Sequence, residues 1–493
     1  MRQRQVTELL SKSKYLTGLQ CPKYLWIQFH EPERIPEVDA VTQYVFDQGH
    51  LVGEYAKKLF PGGIDIPQVD FTENIAATKK LLAERKSLFE AGILSGRMYC
   101  RVDILNPVDE DKWDIIEIKS STSVRDVHID DVSFQKHCCE KAGLKIRSCK
   151  LGFINNRYVK NGAIDPKELF ILEDISTQVE ETSKSIEERV FNLLEVISNR
   201  TCPEVTIGQH CLAPYECPLC AECWGFLPEN SIFDLRGGKT KQFSLYEQGI
   251  LSIKDIPDYI PLSRQQKIQK ECVITGNVHV EKEEIRQFLN KLEYPLYYLD
   301  FETIGPAIPI YDGTRPYQDI PFQFSLHVVE NDASEPVHHS FLADGKEDPR
   351  PQILHELQRL LGSKGSIIAY NAGFEEGVLK ELVEAFPEYT DWLEGILTRM
   401  VDLLLPFTNF HYYNVSQKDT ASLKKVLPAV TGKGYEEMGI GAGMDASIAY
   451  ERIMYGKATE EEIAKIRADL VKYCNLDTEG MIWIVEELRG LCQ

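Results

Sequence analysis

The sequence predicts an α/β protein of several domains, and three observations carry that prediction. Its 493 residues exceed what one core ordinarily holds, and roughly 150 residues per domain gives two to four domains. Short apolar runs that suit strands alternate with stretches of helical periodicity in two separate parts of the chain. Two of the strand-like runs carry charged residues two positions apart, which the period-2 pleat puts on one face. With 43% hydrophobic and 27% charged residues the usage is that of a globular chain, not of a disordered or fibrous one. There is no run of eighteen apolar residues, so no membrane span is expected.

The elements follow in order. Met1-Arg2-Gln3-Arg4-Gln5 is basic but has no long apolar segment behind it. No secretory signal is read there, and the expected location is the cytoplasm. Thiols stay reduced in that compartment, so the thirteen cysteines read as metal ligands or buried apolar residues rather than disulfides. Residues 1–60 read as helical, with Leu9, Leu10, Tyr15 and Leu16, then Tyr24, Leu25 and Trp26, at spacings that make an apolar face. Pro61-Gly62-Gly63 breaks the pattern, and residues 74–92 read as a further helix. Arg101 to Leu105 and Trp113 to Lys119 read as two strands joined by the polar turn Asn106 to Lys112, a hairpin. Residues 180–198 form an amphipathic helix, and a cysteine cluster follows from Cys211 to Cys223. Residues 225–290 are mixed and read as a small connector. A second α/β pattern starts at Leu296, with helices over 351–362, 375–385 and 459–488. The expected domains are therefore 1–224, 225–290 and 291–493.

A net charge of −21 argues against a general nucleic-acid coat protein, which needs positive potential to displace phosphate counterions. It does not exclude a nuclease. Charges are screened over roughly 8 Å at physiological salt, and carboxylates that hold metal ions add negative charge of their own.

In the C-terminal part, Pro295-Leu296-Tyr297-Tyr298-Leu299-Asp300-Phe301-Glu302 is an apolar strand with two acids at i and i+2. Carboxylates that project together from a buried strand repel each other and lose hydration. They are best accommodated around divalent cations, and paired ions about 3.5–4 Å apart clamp an in-line phosphoryl displacement. A second apolar strand, Ile367 to Asn371, leads into a helix that opens with Phe374-Glu375. Tyr473 and Asp477 stand at i and i+4 on a later helix and share a face. The order D-x-E, N-x-x-F-E, Y-x-x-x-D resembles the three motifs of the DEDD exonucleases, which have an RNase H-like fold, and Tyr473 resembles the DEDDy branch. The resemblance implies that Asp300, Glu302, Glu375 and Asp477 hold two metal ions, Mg²⁺ or Mn²⁺, and that Tyr473 orients the attacking water. Asn371 and Phe374 match neighbouring positions. The family usually has Asp where this chain has Glu375. Asp402, at the end of a short strand, is a further acid near this set.

In the N-terminal part, Asp103 ends one strand and Glu117-Ile118-Lys119 lies on the next. Asp and Glu can hold Mg²⁺ or Mn²⁺ while the lysine steadies the water or the developing phosphate charge. The pattern resembles the PD-(D/E)xK nucleases, with their restriction-endonuclease-like core. Asp131 to Gln135, read as the start of a helix, resembles the Q-x-x-x-Y motif of RecB-type members, with Cys139 in place of the tyrosine. The resemblance implies a role for Gln135, for Glu90 on a preceding helix, and for His50 as the early histidine, although its spacing after Gly49 departs from the family's.

Cys211, Cys217, Cys220 and Cys223 form C-x5-C-x2-C-x2-C among turn residues, a spacing that suits zinc or an iron–sulfur cluster. Cys21 stands alone in the first 99 residues, within Cys21-Pro22-Lys23-Tyr24. The two segments together resemble the iron–sulfur nucleases AddB and the RecB-like nuclease of CRISPR adaptation. There, one early and three late cysteines hold a [4Fe–4S] cluster that staples the domain's ends. The resemblance implies Cys21, Cys211, Cys217 and Cys223 as ligands. The alternative is a local Zn²⁺ knuckle of Cys211, Cys217, Cys220 and Cys223. Cys100, Cys138, Cys139, Cys149, Cys202, Cys272, Cys474 and Cys492 read as buried apolar residues.

The chain as a whole resembles a bacterial family that fuses such an iron–sulfur nuclease domain to a DEDD-like domain. The expected partner is nucleic acid, single-stranded or 3′-ended DNA ahead of RNA. Lys141, Lys145, Arg147, Lys150, Arg157 and Lys160, interleaved with Phe153 and Tyr158, are candidates to track it, or else a solvated face. Phe322, Phe324, Tyr412 and Tyr413 read as core before they read as a wedge for a 3′ end. Two other readings stay open: an N-terminal half that is an inactive iron–sulfur clamp feeding the exonuclease, and a nuclease-derived scaffold inactive at both sites.

Overall fold

Two mixed sheets organise the chain, each covered by helices. A computed structural model describes residues 9–67, 70–435, 438–441, 443–456 and 458–493, so the basic run Met1 to Gln5 lies outside the described residues. The chain divides into two compact units: Met1–Phe226 with Pro306–Tyr317, and Leu227–Gly305 with Gln318–Gln493. No helix is long and apolar enough to cross a membrane, among the described residues.

The first unit holds seven strands: β1 (Leu10–Ser11), β2 (Ile64–Asp65), β3 (Leu88–Ser95), β4 (Met98–Val108), β5 (Lys112–Lys119), β6 (Lys145–Ile154) and β7 (Phe170–Asp174). Their order is β2-β3-β4-β5-β6-β7, with β1 paired to β4. The expected hairpin is β4–β5, antiparallel with Ile104 opposite Ile116. β5 and β6 run parallel, joined through the helix Asp126–Lys141, because a parallel partner needs a crossover. Alternation along β5 divides the core. Trp113 and Ile115 face the cluster that contains Phe134 and the first helices, while Ile116 and Ile118 pack with Val52 and Ala56 of the helix Ala40–Lys57. Glu117 shares the face of Trp113 and Ile115, toward the crossover helix.

Three expectations need correction. The helix read over 74–92 spans only Phe71–Leu81. Leu82–Glu84 and the left-handed Arg85 (φ 51°) then redirect the chain into β3, so Glu90 stands on a strand. Phe89, Ile93 and Leu94 suit a pleated surface, and Gly92 is required there, since a Cβ would collide with the Asn74 amide. The helix read over 180–198 is two, Ser176–Ser183 and Ile186–Ser198. The break falls where Ser183 and Ser185 hydrogen-bond back to the carbonyls of Val179 and Thr182, competing with the helical ladder. Asp131 does not open its helix, which begins at Asp126; Asp131 and Gln135 lie one turn apart inside it.

In the second unit a two-stranded ladder pairs β8 (His279–Val280) with β14 (Tyr412–Tyr413). The main sheet comprises β9 (Leu296–Ile304), β10 (Ile320–Val329), β11 (Val337–Leu342), β12 (Ser366–Ala369) and β13 (Met400–Asp402), in the order β11-β10-β9-β12-β13. β9, β10 and β11 are an antiparallel meander, and β12 and β13 run parallel to β9. Residues of β9 alternate between two cores. Tyr297, Leu299 and Phe301 pack with the helices Arg350–Leu360 and Ala372–Ala385, whereas Leu296 and Tyr298 pack under the helix Glu460–Cys492. Asp300 and Glu302 continue the second register, so both acids point toward that long helix. The helix starts with a capping box, Thr459 with Glu462, and buries Leu470, Tyr473, Cys474, Asp477, Met481 and Ile484 along one stripe.

Candidate metal centres

The second unit brings the C-terminal candidates together from three elements. Asp300 and Glu302 come from central strand β9, and Tyr473 and Asp477 from the Glu460–Cys492 helix beside it. Glu375 comes from the first turn of Ala372–Ala385. That helix opens on Asn371, held at φ 70°, a conformation asparagine tolerates better than most residues. The turn is braced by Asp402, which accepts the Asn371 and Leu404 amides at 3.0 and 2.9 Å. Asp402 therefore buttresses the site.

Burial suppresses ionisation throughout this cluster, and neighbouring acids add to it at Asp300, Glu302 and Glu375. Asp300 is held well above the carboxylate range by burial and by Asp477, Glu302 and Glu375; Glu302 is raised by burial and by Asp477. Burial pushes Glu375 up to about 8, and Asp477 to about 7 although Tyr435 donates a hydrogen bond to it. Glu375 is 2% exposed, and its Oε2 has no hydrogen-bond partner. An orphaned carboxylate oxygen, among acids raised by burial and, at Asp300 and Glu302, by neighbouring carboxylates, fits a site that takes divalent cations. Burial and the same acids raise the Tyr473 phenol, which keeps its proton. Lys424 is the cation acting on the cluster: its Nζ lies 5.2 Å from the Tyr473 ring and 5.8 Å from the Tyr435 ring, and it lowers Glu302 and Asp477.

Sequence reasoning missed three residues here. Cys474 reads in the sequence as a buried apolar residue; it is buried, and its Sγ lies 3.5 Å from Asp300 Oδ2. Its spacing to Asp477, i and i+3 on a helix, was the available signal. Lys424 and Tyr435 carry no local signal; tertiary packing alone delivers them.

In the first unit the N-terminal candidates form a tighter, charge-matched group. Glu117 accepts from Lys119 at 2.6 Å, from Lys12 at 2.8 Å and from Gln135 Nε2 at 2.8 Å. Asp131 accepts from Lys119 at 2.7 Å and from Gln135 at 2.9 Å. Asp103 accepts the Ile118 amide at 2.8 Å, and burial and the Glu117 charge push it up to about 7. Against the cost of burial, Lys119 and Lys12 hold Glu117 well below the usual range. Lys12 Nζ lies 2.8, 3.7 and 3.9 Å from oxygens of Glu117, Asp103 and Asp131. An ammonium bonded to Glu117 and close to Asp103 and Asp131 marks a place where these acids favour a positive charge. A cleft of about 540 Å³ opens beside it, lined by Asp103, Glu117, Lys119, Glu90 and, from the helix Ala40–Lys57, His50. Glu90 pairs with Arg101 at 2.8 Å. Cys139, where the resembled family has tyrosine, is fully buried in the core. Lys12 and Asp131 were missed. Asp131 had a signal, one helical turn before Gln135; Lys12 had none.

The Gln209–Cys211 turn and the Cys220–Cys223 helix bring the late cysteines to Cys21, which links the first two helices. Cys21 is raised by burial and by Cys211 and Cys223, and Cys217 by burial, Cys21, Cys220 and Cys211, up to about 11. Cys220 is pushed up to about 11 by burial and Cys211, and its thiol faces the Cys211 carbonyl at 3.5 Å. Lys23 Nζ donates to Cys223 Sγ at 3.3 Å. Thiols gathered by burial so that each makes its neighbour harder to ionise fit a site in which a metal centre takes them as thiolates. The basic stretch is largely neutralised: Lys141 pairs with Glu187, Lys145 with Asp111, Arg147 and Lys150 with Asp114, and Lys160 with Asp312. Phe153 and Tyr158 are buried, as are Phe322, Phe324, Tyr412 and Tyr413.

The profile described as Domain of unknown function (DUF2779) matches residues 297–422, a stretch that contains Asp300, Glu302 and Glu375. The chain is 26% identical over 234 residues to "Uncharacterized protein MG366 homolog" of Mycoplasma pneumoniae, covering 44% of this chain and 34% of that protein. It is 26% identical over 221 residues to "Uncharacterized protein MG366" of Mycoplasma genitalium, covering 41% and 33%. It is 26% identical over 228 residues to "Uncharacterized protein UU173" of Ureaplasma parvum, covering 41% and 32%. The matched region thus spans about a third of the length of each of these curated relatives.

Proposed function

We propose that the protein is a metal-dependent nuclease whose second unit is a 3′→5′ exonuclease of the DEDDy type. The observation that carries this reading is the convergence of Asp300, Glu302, Glu375 and Asp477. These are buried acids from one strand and two helices, all raised, with one carboxylate oxygen left unpartnered. The sheet order β11-β10-β9-β12-β13, an antiparallel meander extended by parallel strands, agrees with an RNase H-like fold. On this reading residues 291–493 are the exonuclease domain, 225–290 a connector, and 1–224 an iron–sulfur PD-(D/E)xK nuclease domain. Asp300, Glu302, Glu375 and Asp477 would hold a divalent pair, Mg²⁺ or Mn²⁺, which would supply Lewis acidity toward a phosphodiester. Tyr473, protonated, offers its hydroxyl to a water or to the phosphate. The cysteines Cys21, Cys211, Cys217 and Cys223 would hold a [4Fe–4S] cluster, with Cys220 engaged elsewhere.

The test is digestion of 5′-labelled single-stranded DNA and RNA with Mg²⁺ or Mn²⁺, by wild type and by Asp300→Ala. A 3′→5′ ladder that vanishes in the variant is expected, with DNA cut ahead of RNA. A ladder that survives moves the activity to Asp103, Glu117 and Lys119, and no cleavage by either protein refutes the enzyme.

One observation favours a second reading of the N-terminal half, as an iron–sulfur clamp that holds nucleic acid without cutting it. The Lys12 ammonium sits at the cation position among Asp103, Glu117 and Asp131. Lys119→Ala separates the two: loss of any cleavage activity supports a working N-terminal site, and full retention supports the clamp.

A further inference from the structure

We infer that the C-terminal centre contains a mixed thiolate–carboxylate cation position, formed by Cys474 with Asp300 and Glu302, which selects borderline-soft divalent ions over Mg²⁺. The inference rests on the metal-centre reading above and adds its ligand chemistry.

One ligand atom from each of Asp300, Glu302 and Cys474 lies within 4.8 Å of the other two. Donors on opposite sides of a single ion at 2.0–2.3 Å are at most about 4.6 Å apart, so this separation is that of one coordination sphere before it closes. Cys474 is fully buried, and its Sγ lies 3.5 Å from Asp300 Oδ2 and 4.0 Å from the Asp300 carbonyl. A second, independent sign of a ligand is the buried Glu375 Oε2, unpartnered on a side chain whose charge acts on both Asp300 and Glu302. Asp477 is held differently, since Tyr435 donates a hydrogen bond to its Oδ1. Of the carboxylates here, Asp300 and Glu302 therefore share their cation with a sulfur.

Oxygen-only sites suit Mg²⁺, whereas a thiolate brings in Co²⁺, Zn²⁺ and, less strongly, Mn²⁺. Binding forms one sulfur–metal bond and breaks the Cys474 S–H bond; the proton leaves to solvent and one water leaves the ion. No oxidant or reductant is involved.

The test titrates Co²⁺ into the full chain and compares wild type with Cys474→Ser, Cys474→Ala and Asp300→Ala. Cys21 and the late cysteines contribute equally to each, so difference spectra isolate this site. The expected result is a near-ultraviolet sulfur-to-cobalt band present in wild type and absent from both Cys474 variants. Their Co²⁺ affinity falls at least tenfold, their Mg²⁺ affinity stays within twofold, and their melting curves show that they fold. Co²⁺ binding that depends on Asp300 with no Cys474-dependent band overturns the inference and leaves the nuclease reading standing. Wild type and Asp300→Ala binding Co²⁺ identically overturns both.

Discussion

Replacing Lys12 with Met tests whether the N-terminal carboxylates define a cation position. Lys12 Nζ sits 2.8, 3.7 and 3.9 Å from Glu117, Asp103 and Asp131, and its side chain is 23% exposed. At an effective dielectric near 20, opposite unit charges 4 Å apart attract by about 4 kcal/mol. Three such attractions are offset by desolvation of the ammonium and by its repulsion from Lys119, which stands among the same acids. What remains on removing one member is the cost of breaking a buried pair, about 3–5 kcal/mol. In a domain of this size each kcal/mol moves Tm by roughly 2–4 °C, so Lys12→Met should lower the melting of the first unit in EDTA by roughly 10 °C. Met keeps the length of the side chain, so packing changes little. Millimolar Mn²⁺ then finds the three carboxylates with Lys119 but without Lys12 and should recover more than half of the deficit, while raising the wild type less. Calorimetry of the full chain with and without Mn²⁺ reads both effects. An unchanged Tm in EDTA refutes the charge argument, and a fall that Mn²⁺ does not repair refutes the cation position.

Three other outcomes are expected. Glu375 and Asp477 have folded-state pKa values of about 8 and about 7, against roughly 4 when unfolded, so between those limits the folded state binds more protons. Their contribution to metal-free stability is full below pH 4 and is lost as pH rises through 7 to 8; Mn²⁺ affinity rises over the same interval, as calorimetric titration at pH 6, 7 and 8.5 would show. Tyr435→Phe removes the hydroxyl that lowers Asp477, so at pH 7 Mn²⁺ affinity should fall severalfold and at pH 8.5 return close to wild type; equal loss at both pH values would refute a protonation effect. Cys220→Ser should keep the iron content and visible absorbance of anaerobically purified protein, and Cys21→Ser should lose them; the reverse pattern, with zinc in place of iron, would establish the local knuckle.

What the sequence disclosed followed from periodicity. The alternation of β9 put Asp300 and Glu302 on one face, and the 3.6-residue repeat put Tyr473 and Asp477 on one stripe; both placements need only local geometry. The hairpin of β4 and β5 was legible for the same reason. Lys12, Lys424 and Tyr435 were not, because each reaches its site across the fold from an element with no local mark. Glu90 was assigned to the wrong element because a helical pattern and a short apolar strand look alike over seven residues, and the switch at Arg85 is a single left-handed residue. The basic stretch misled in the opposite sense. Lysines and arginines spaced along β6 and on either side of it suggest a phosphate track until their partners, Asp111, Asp114, Glu187 and Asp312, are found by packing.

The two candidate centres meet the same problem, several carboxylates removed from water, by opposite means. In the first unit two ammonium groups lie within hydrogen-bonding distance of Glu117, whose pKa is depressed, while Asp103 beside it is raised. In the second unit four acids are raised together, and Lys424, which lies over two aromatic rings, lowers Glu302 and Asp477 without reversing the shift. A charge-matched group can fold and stay folded without metal, whereas an unmatched one carries protons until a cation displaces them. Metal binding at the first centre must therefore compete with lysine, and at the second with protons. Displacing lysine adds little pH dependence in the physiological range, where at the first centre Asp103 is pushed to about 7. Displacing protons from Glu375 and Asp477, at about 8 and about 7, makes the second competition steeper, so two sites served by the same ion in one chain would respond to pH to different degrees.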